Sequence, residues 1–176
     1  WTSLYESKSG ERGIFNRQAA KVKALENGRR DAEHYFGCNP CSEIILRPYQ
    51  FCNLTEVVAR SVDTLDILKE KVRLATILGT FQSTLTNFKY LRKIWKDNTE
   101  EERLLGVSLT GILDCPTLNN VYYELDDVLE QLRTVAVETN KKFAKELGIP
   151  QSTAITCVKP SGTVSQLVDS ASGIHA

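Results

Sequence analysis

Residues 153 to 168 read Thr153-Ala154-Ile155-Thr156-Cys157-Val158-Lys159-Pro160-Ser161-Gly162-Thr163-Val164-Ser165-Gln166-Leu167-Val168. The first six have the β-branched enrichment of a strand. Lys159 to Thr163 breaks that run with a proline and a glycine, and Val164 to Val168 can begin a helix. The expected unit over 153–169 is therefore strand, glycine turn, helix start. Immediately upstream, Asp126 to Leu147 carries Val128, Leu132, Val135, Thr139, Phe143 and Leu147 at helical spacing, with Gly148 and Pro150 as its stop.

The same alternation continues toward the N-terminus. Val107 to Leu113 reads as a strand or buried turn around Gly106 and Gly111, and Lys89 to Glu102 as a charged surface segment. Asp63 to Phe88 predicts a long helix, because Leu65, Leu68, Val72, Ala75, Leu78, Phe81, Leu85 and Phe88 recur at spacings of three and four, with Asp63 or Thr64 as cap. Ile44-Ile45-Leu46 is a short strand or loop segment, and Gln18 to Leu25 a helix ending near Gly28. Long helices alternating with short apolar strands predict an α/β fold with at least partly parallel pairing. No internal repeat or low-complexity segment interrupts it.

The chain has 176 residues, with 22 Lys+Arg against 22 Asp+Glu and 41% hydrophobic residues, which fits one packed domain or a section of a larger one. Zero net charge offers no sequence-independent grip on nucleic acid or an anionic membrane. No apolar run approaches the ~20 residues that cross a bilayer, and no basic-then-apolar leader is visible. Five cysteines are too few for a disulfide scaffold and point to a reducing, cytoplasmic setting. Methionine is absent, and the chain opens on Trp1 and closes on Ile174-His175-Ala176, so the expectation is an internal stretch of something longer.

Two blocks can carry chemistry. In Cys38-Asn39-Pro40-Cys41-Ser42-Glu43, proline disfavours helix, and in an extended loop Asn39, Cys41 and Glu43 would point to one side, away from Pro40 and Ser42. A thiol beside a carboxylate is poorly placed as a nucleophile, since negative charge raises its pKa, but a neutral thiol can still give up a hydrogen atom. The same letters are formally C-x-x-C, readable as a thioredoxin-type redox pair, half a zinc site or buried structural cysteine. Zinc lacks a second pair, since Cys52, Cys115, Cys157 and His34 are scattered. The second block, Pro160-Ser161-Gly162-Thr163, offers free backbone N–H groups and hydroxyls that suit a phosphate, against the plainer reading of an N-cap turn.

Asn39-Pro40-Cys41-Ser42-Glu43, Arg47-Pro48-Tyr49-Gln50-Phe51-Cys52-Asn53-Leu54, Gly106-Val107-Ser108-Leu109-Thr110-Gly111 and Lys159-Pro160-Ser161-Gly162-Thr163-Val164-Ser165 together resemble the catalytic region of adenosylcobalamin-dependent (class II) ribonucleotide reductases. The Cys41 to Cys52 run is most similar to the monomeric ribonucleoside-triphosphate type. The resemblance implies a ten-stranded α/β barrel with a central finger loop, about half of it in this chain, with residues 37–54 supplying the finger loop and a redox cysteine. It implies that Cys41 is the transient thiyl radical, Glu43 the base for the 3′-hydroxyl, and Asn39 a hydrogen-bonding partner of the substrate hydroxyls. Cys52 would be one of two cysteines that reduce C2′, its partner lying upstream of Trp1. Ser161, Gly162, Thr163, Val164 and Ser165 would bind the substrate's phosphates.

The implied cofactor is adenosylcobalamin (coenzyme B12), with no metal ligands on this chain. The implied partners are a ribonucleotide, a thioredoxin-like dithiol reductant and the remaining parts of the barrel, without direct contact to DNA, RNA or membrane. Ser42 stands where the family usually has glycine, and Cys38 lies outside its pattern. The same barrel served by a diiron subunit (class I) or a glycyl radical (class III) is the first alternative, and a non-catalytic thiol or zinc protein built on Cys38 and Cys41 the second.

Overall fold

The computed structural model describes residues 1–9, 13–26, 28–119 and 124–175. Its order is α1 (Thr2–Ser7), α2 (Arg17–Glu26), β1 (Gly37–Cys38), β2 (Ile45–Leu46), β3 (Asn53–Val58), α3 (Leu65–Gln82), α4 (Lys93–Glu102), β4 (Leu105–Thr110), α5 (Leu125–Leu147) and α6 (Val164–Leu167).

The two long helices form where the apolar spacing predicts them. Thr64 caps α3, its side chain accepting from the Ile67 N–H at 3.4 Å, an interaction type that contributes about 1 kcal/mol. The helix ends at Gln82, six residues short of Phe88. Ser83 and Thr84 turn their hydroxyls onto the Thr80 and Phe81 carbonyls, each at 2.7 Å, and so compete with continued helical pairing. α5 stops at Gly148, whose φ of 67° is the left-handed conformation that glycine adopts freely.

β3 and β4 pair in parallel, Asn53 opposite Leu105 through Val58 opposite Thr110, with α3 and α4 in the connection between them. The expected strand at 153–158 is present only as one parallel bridge, Val107 to Thr156, although backbone bonds tie Leu105 to Ala154, Val107 to Ile155 and Cys157 to Val107. It lies along β4 as a third, less regular edge. The fold is thus mixed α/β with parallel pairing, as expected. The barrel is not closed among the described residues, and three parallel segments amount to less than the half-barrel expected.

One side of this sheet is the core. Val57, Leu105, Val107 and Ile155 are buried with Leu68, Val72 and Ala75 of α3 and Val128, Leu132 and Ala136 of α5. Burial of the valine, leucine and isoleucine side chains stabilises by roughly 1.5–3 kcal/mol each. Leu78, Phe81 and Leu85, which belong to the periodic set, are exposed instead. Residues 89–102, expected at the surface, include α4, whose Asn98, Thr99 and Glu102 are buried. No helix among the described residues is long and apolar enough to cross a membrane.

Candidate functional site

Alternation along a strand sends neighbouring side chains to opposite faces. With Val57 and Val107 turned to the helices, Leu54, Glu56 and Gly106 occupy the other face. Cys157 Sγ lies 3.2 Å from where a Cβ of Gly106 would stand, Leu54 Cδ2 at 2.5 Å and Ile44 Cδ1 at 2.9 Å from the same point. Glycine there leaves the space into which the hairpin settles, and Ile44 is buried as a result.

That hairpin is β1 paired antiparallel with β2, Gly37 opposite Leu46 and Cys38 opposite Ile45, and its tip carries the Asn39 to Glu43 block. The tip is a tight turn, not the extended loop expected, so simple alternation fails there. The Ser42 N–H bonds the Asn39 carbonyl at 3.0 Å, the Ile44 N–H bonds Asn39 Oδ1 at 3.0 Å, and Ser42 has a φ of 62°. A left-handed serine explains why glycine suits this position. Ser42 Oγ also lies 3.4 Å from Cys38 Sγ.

Cys41 is exposed at the tip and is a free thiol, as are Cys38, Cys52, Cys115 and Cys157. Glu43 turns inward, with Oε2 buried and lacking a hydrogen-bond partner. Its charge is felt by two thiols. Burial first, then Glu43, pushes Cys52 above the usual thiol range, and the same causes, with Cys52 added, push Cys157 up to about 12. Lys159 opposes the shift at both. Glu43, Cys52, Cys157 and Lys159 therefore form one electrostatic neighbourhood, in which both thiols stay protonated at neutral pH.

Lys159 connects this neighbourhood to the second block. Its Nζ lies 3.2 Å from Glu56 Oε2, and the Ser161 hydroxyl donates to Glu56 Oε1. Ser161 is 1% exposed with φ 76°, and its Oγ accepts from the Ser165 N–H at 3.1 Å. This is the capping role of the plainer reading. The Val164 N–H bonds the Ser161 carbonyl at 3.3 Å, and Ser165 Oγ donates to the Gly162 carbonyl at 3.4 Å. Gly162 and Thr163 are exposed, and they are the part of the turn that faces outward.

The expected residues are thus partly gathered. Glu43 and Cys52 share an environment and the Ser161 turn joins it through Lys159 and Glu56, while Asn39 and Cys41 stay at the hairpin tip. A cavity of about 690 Å³ between the helices and the sheet includes Glu43 and Cys157 on its wall, but not Asn39, Cys41, Cys52 or the turn. Cys157, Glu56 and Lys159 were not anticipated. Their signal is the two-residue step from Leu54 to Glu56 and from Cys157 to Lys159. Among the described residues, no three His, Cys, Asp or Glu side chains are grouped to hold a metal ion.

The base of the hairpin is fixed by aromatic and polar contacts. Phe51 stacks on Trp95 at 4.7 Å and meets Phe88 edge-on at 5.1 Å, while Tyr49 meets Trp95 at 5.7 Å. Beneath them Arg30 and Glu102 form an ion pair at 2.8 Å with both side chains 4% exposed. Burial alone would raise the Glu102 pKa, but hydrogen bonds from Arg30 and Gln50 and the charges of Arg30 and Arg47 hold it below the usual carboxylate range.

The chain is 30% identical to the adenosylcobalamin-dependent ribonucleoside-triphosphate reductase of Lactobacillus acidophilus over 95% of its own length and 26% of that protein. It is 28% identical to the enzyme of the same name from Lacticaseibacillus paracasei over 98% of its length and 26% of the relative, and 30% identical to that of Euglena gracilis over 95% and 23%. Among solved structures, a B12-dependent (class II) ribonucleotide reductase superposes with a TM-score of 0.61 at 25% identity, covering 77% of this chain and 22% of that one. No protein-family profile matches the chain. The chain is distantly homologous, over nearly its whole length, to adenosylcobalamin-dependent ribonucleoside-triphosphate reductases, and it spans about a quarter of their length.

Proposed function

We propose that this chain is the finger-loop section of a ribonucleotide reductase catalytic barrel, which converts ribonucleotides, and ribonucleoside triphosphates in particular, to their 2′-deoxy forms by thiyl-radical chemistry. The carrying observation is the polar face on which Glu43, Cys52 and, through Lys159 and Glu56, the Ser161 turn meet beside a hairpin whose tip presents a free thiol. Adenosylcobalamin, when bound, supplies a carbon radical that takes a hydrogen atom. An exposed thiol at a turn tip fits that chemistry, and Cys41 is the residue of this chain that supplies it.

The Cys41 thiyl takes the hydrogen from C3′ of the ribose and later returns it. Glu43, with a buried oxygen lacking a partner, accepts the 3′-hydroxyl proton. Asn39 has its Oδ1 committed to the Ile44 N–H, so it addresses the substrate through its amide N–H₂ group. Cys52, held protonated, is one of the two thiols that deliver electrons and protons as the 2′-hydroxyl leaves as water. Gly162 and Thr163 receive the phosphates, with Ser161, Val164 and Ser165 holding the turn in shape. A thioredoxin-like dithiol reductant and the remaining barrel segments complete the assembly, working in the cytoplasm.

The test uses the complete reductase containing this chain, with a ribonucleoside triphosphate, adenosylcobalamin and a dithiol. Deoxynucleotide forms without a second protein subunit, which separates this reading from a diiron-served barrel, and without a glycyl radical. Cys41→Ser abolishes product while nucleotide binding stays close to that of the parent. Turnover retained in Cys41→Ser refutes the radical assignment.

A further inference from the structure

A buried ion pair is weak evidence for stability, because desolvating both charges offsets their attraction, and apolar residues of similar volume often do as well. The pair Arg30–Glu102 therefore calls for another explanation, and its hydrogen bonds supply one. Glu102 Oε1 accepts from Arg30 Nε at 2.8 Å and Oε2 from Arg30 Nη2 at 2.9 Å and from Gln50 Nε2. The remaining arm of the guanidinium, Nη1, donates to the Ile45 carbonyl at 2.7 Å, at the start of β2. Gln50 Oε1 accepts from the Arg47 backbone N–H at 2.9 Å, and Asn98 Nδ2 donates to the Pro48 carbonyl at 3.0 Å. Arg47 in turn donates to Asn98 Oδ1 at 3.0 Å and Glu101 Oε2 at 2.9 Å.

These bonds reach backbone at Ile45, Arg47 and Pro48, all within the interval between Cys41 and Cys52. β2 begins at Ile45, four residues after Cys41, and the 47–50 turn leads into Cys52. Both are tied to the last turn of α4, which runs directly into β4, and the Leu104 carbonyl there accepts from the Asn53 N–H at 2.9 Å and Nδ2 at 3.1 Å. One carboxylate at the end of α4 thus serves as a common reference for two thiols that must address the same ribose.

We infer that Arg30, Gln50 and Glu102 are positioning residues, which set the separation and orientation of Cys41 and Cys52 through the backbone of β2 and the 47–50 turn. The inference rests on the reductase reading and adds a purpose for buried charge away from the reacting atoms. A fixed fork of donors constrains direction, whereas apolar contacts constrain only proximity.

The experiment replaces the pair by apolar residues, Arg30→Met with Glu102→Leu, in the complete reductase. The double variant is expected to keep a melting temperature near that of the parent and a KM for ribonucleotide within about twofold. Its kcat falls by about tenfold or more, in line with the roughly 10²-fold that an ångström of misplacement costs. Hydrogen exchange at the Ile44 and Arg47 amides rises while α3 and α5 stay protected. A kcat at the parental level in a folded double variant overturns the inference. Should the double variant not fold, Gln50→Leu decides by the same KM-against-kcat split, since it removes the acceptor for the Arg47 N–H and leaves the ion pair in place. A parent without any deoxynucleotide product refutes the reductase reading, and unchanged exchange at Ile44 and Arg47 would then overturn the positioning role separately.

Discussion

Replacing Gly106 by alanine tests whether the hairpin rests on the sheet because a side chain is missing there. The added methyl would stand 2.5 Å from Leu54 Cδ2, 2.9 Å from Ile44 Cδ1 and 3.2 Å from Cys157 Sγ. The first two distances are well inside van der Waals contact, so atoms must move. All three obstacles are side-chain ends, so they yield by rotamer change and hairpin lift, without a break in the parallel pairing. Overpacking of this kind costs about 1–3 kcal/mol. With a urea m-value of roughly 1–3 kcal/mol/M, the unfolding midpoint should fall by about 1 M. Urea titration measures the fall, and amide exchange at Asn39 and Ile44 reports the lift. Leu54→Ala in the same chain should return part of the loss, a non-additive coupling of about 0.5–3 kcal/mol. An unchanged midpoint in Gly106→Ala, or strict additivity with Leu54→Ala, refutes the reasoning.

Ser42→Gly relieves a left-handed serine and should stabilise the hairpin tip by about 1 kcal/mol, read as slower exchange of the Ile44 amide and a higher urea midpoint; a lower midpoint would contradict it. Glu102 is held below its usual range in the folded chain, so its contribution is complete above a pH near the unfolded value of 4.5 and drains away as the pH falls through the folded one. Unfolding midpoints between pH 6 and pH 3 should therefore drop more steeply in the parent than in Arg30→Met/Glu102→Leu. With a thiol-alkylating reagent at pH 8, exposed Cys41 should be labelled first, with Cys52 slower and Cys157, raised to about 12, slower still; peptide mapping gives the order, and early labelling of Cys157 would refute the shared neighbourhood with Glu43.

The parts of the fold legible in the sequence are those where one property dominates. α5 shows an apolar stripe and a glycine stop, and both are present. α3 is legible to Gln82, but Leu85 and Phe88 continue the apolar spacing past the point where the Ser83 and Thr84 hydroxyls turn back on the helix. Spacing alone does not register that competition. β3 was not recognised, because Asn53-Leu54-Thr55-Glu56-Val57-Val58 places a carboxylate mid-strand, and only Lys159 and Ser161, more than a hundred residues away, make it acceptable there. Glu102 likewise reads as surface until Arg30 is placed beside it. At the site, the motif letters point to Glu43, Cys52 and the Ser161 turn, and they mark Ser42 as standing where glycine is usual, but they do not show that the tip is a tight turn with a left-handed serine.

The two-sided sheet sets different rules for substitution and for changes of length. Exchanging one residue of β3 alters a single contact, but removing one between Asn53 and Glu56 would invert every later side chain, sending the carboxylate into the helical layer and valine toward the thiols. Variants in this stretch should therefore accept new letters far more readily than a shift of frame, with drift confined to identities while the count of residues from Cys52 to Val58 stays constant.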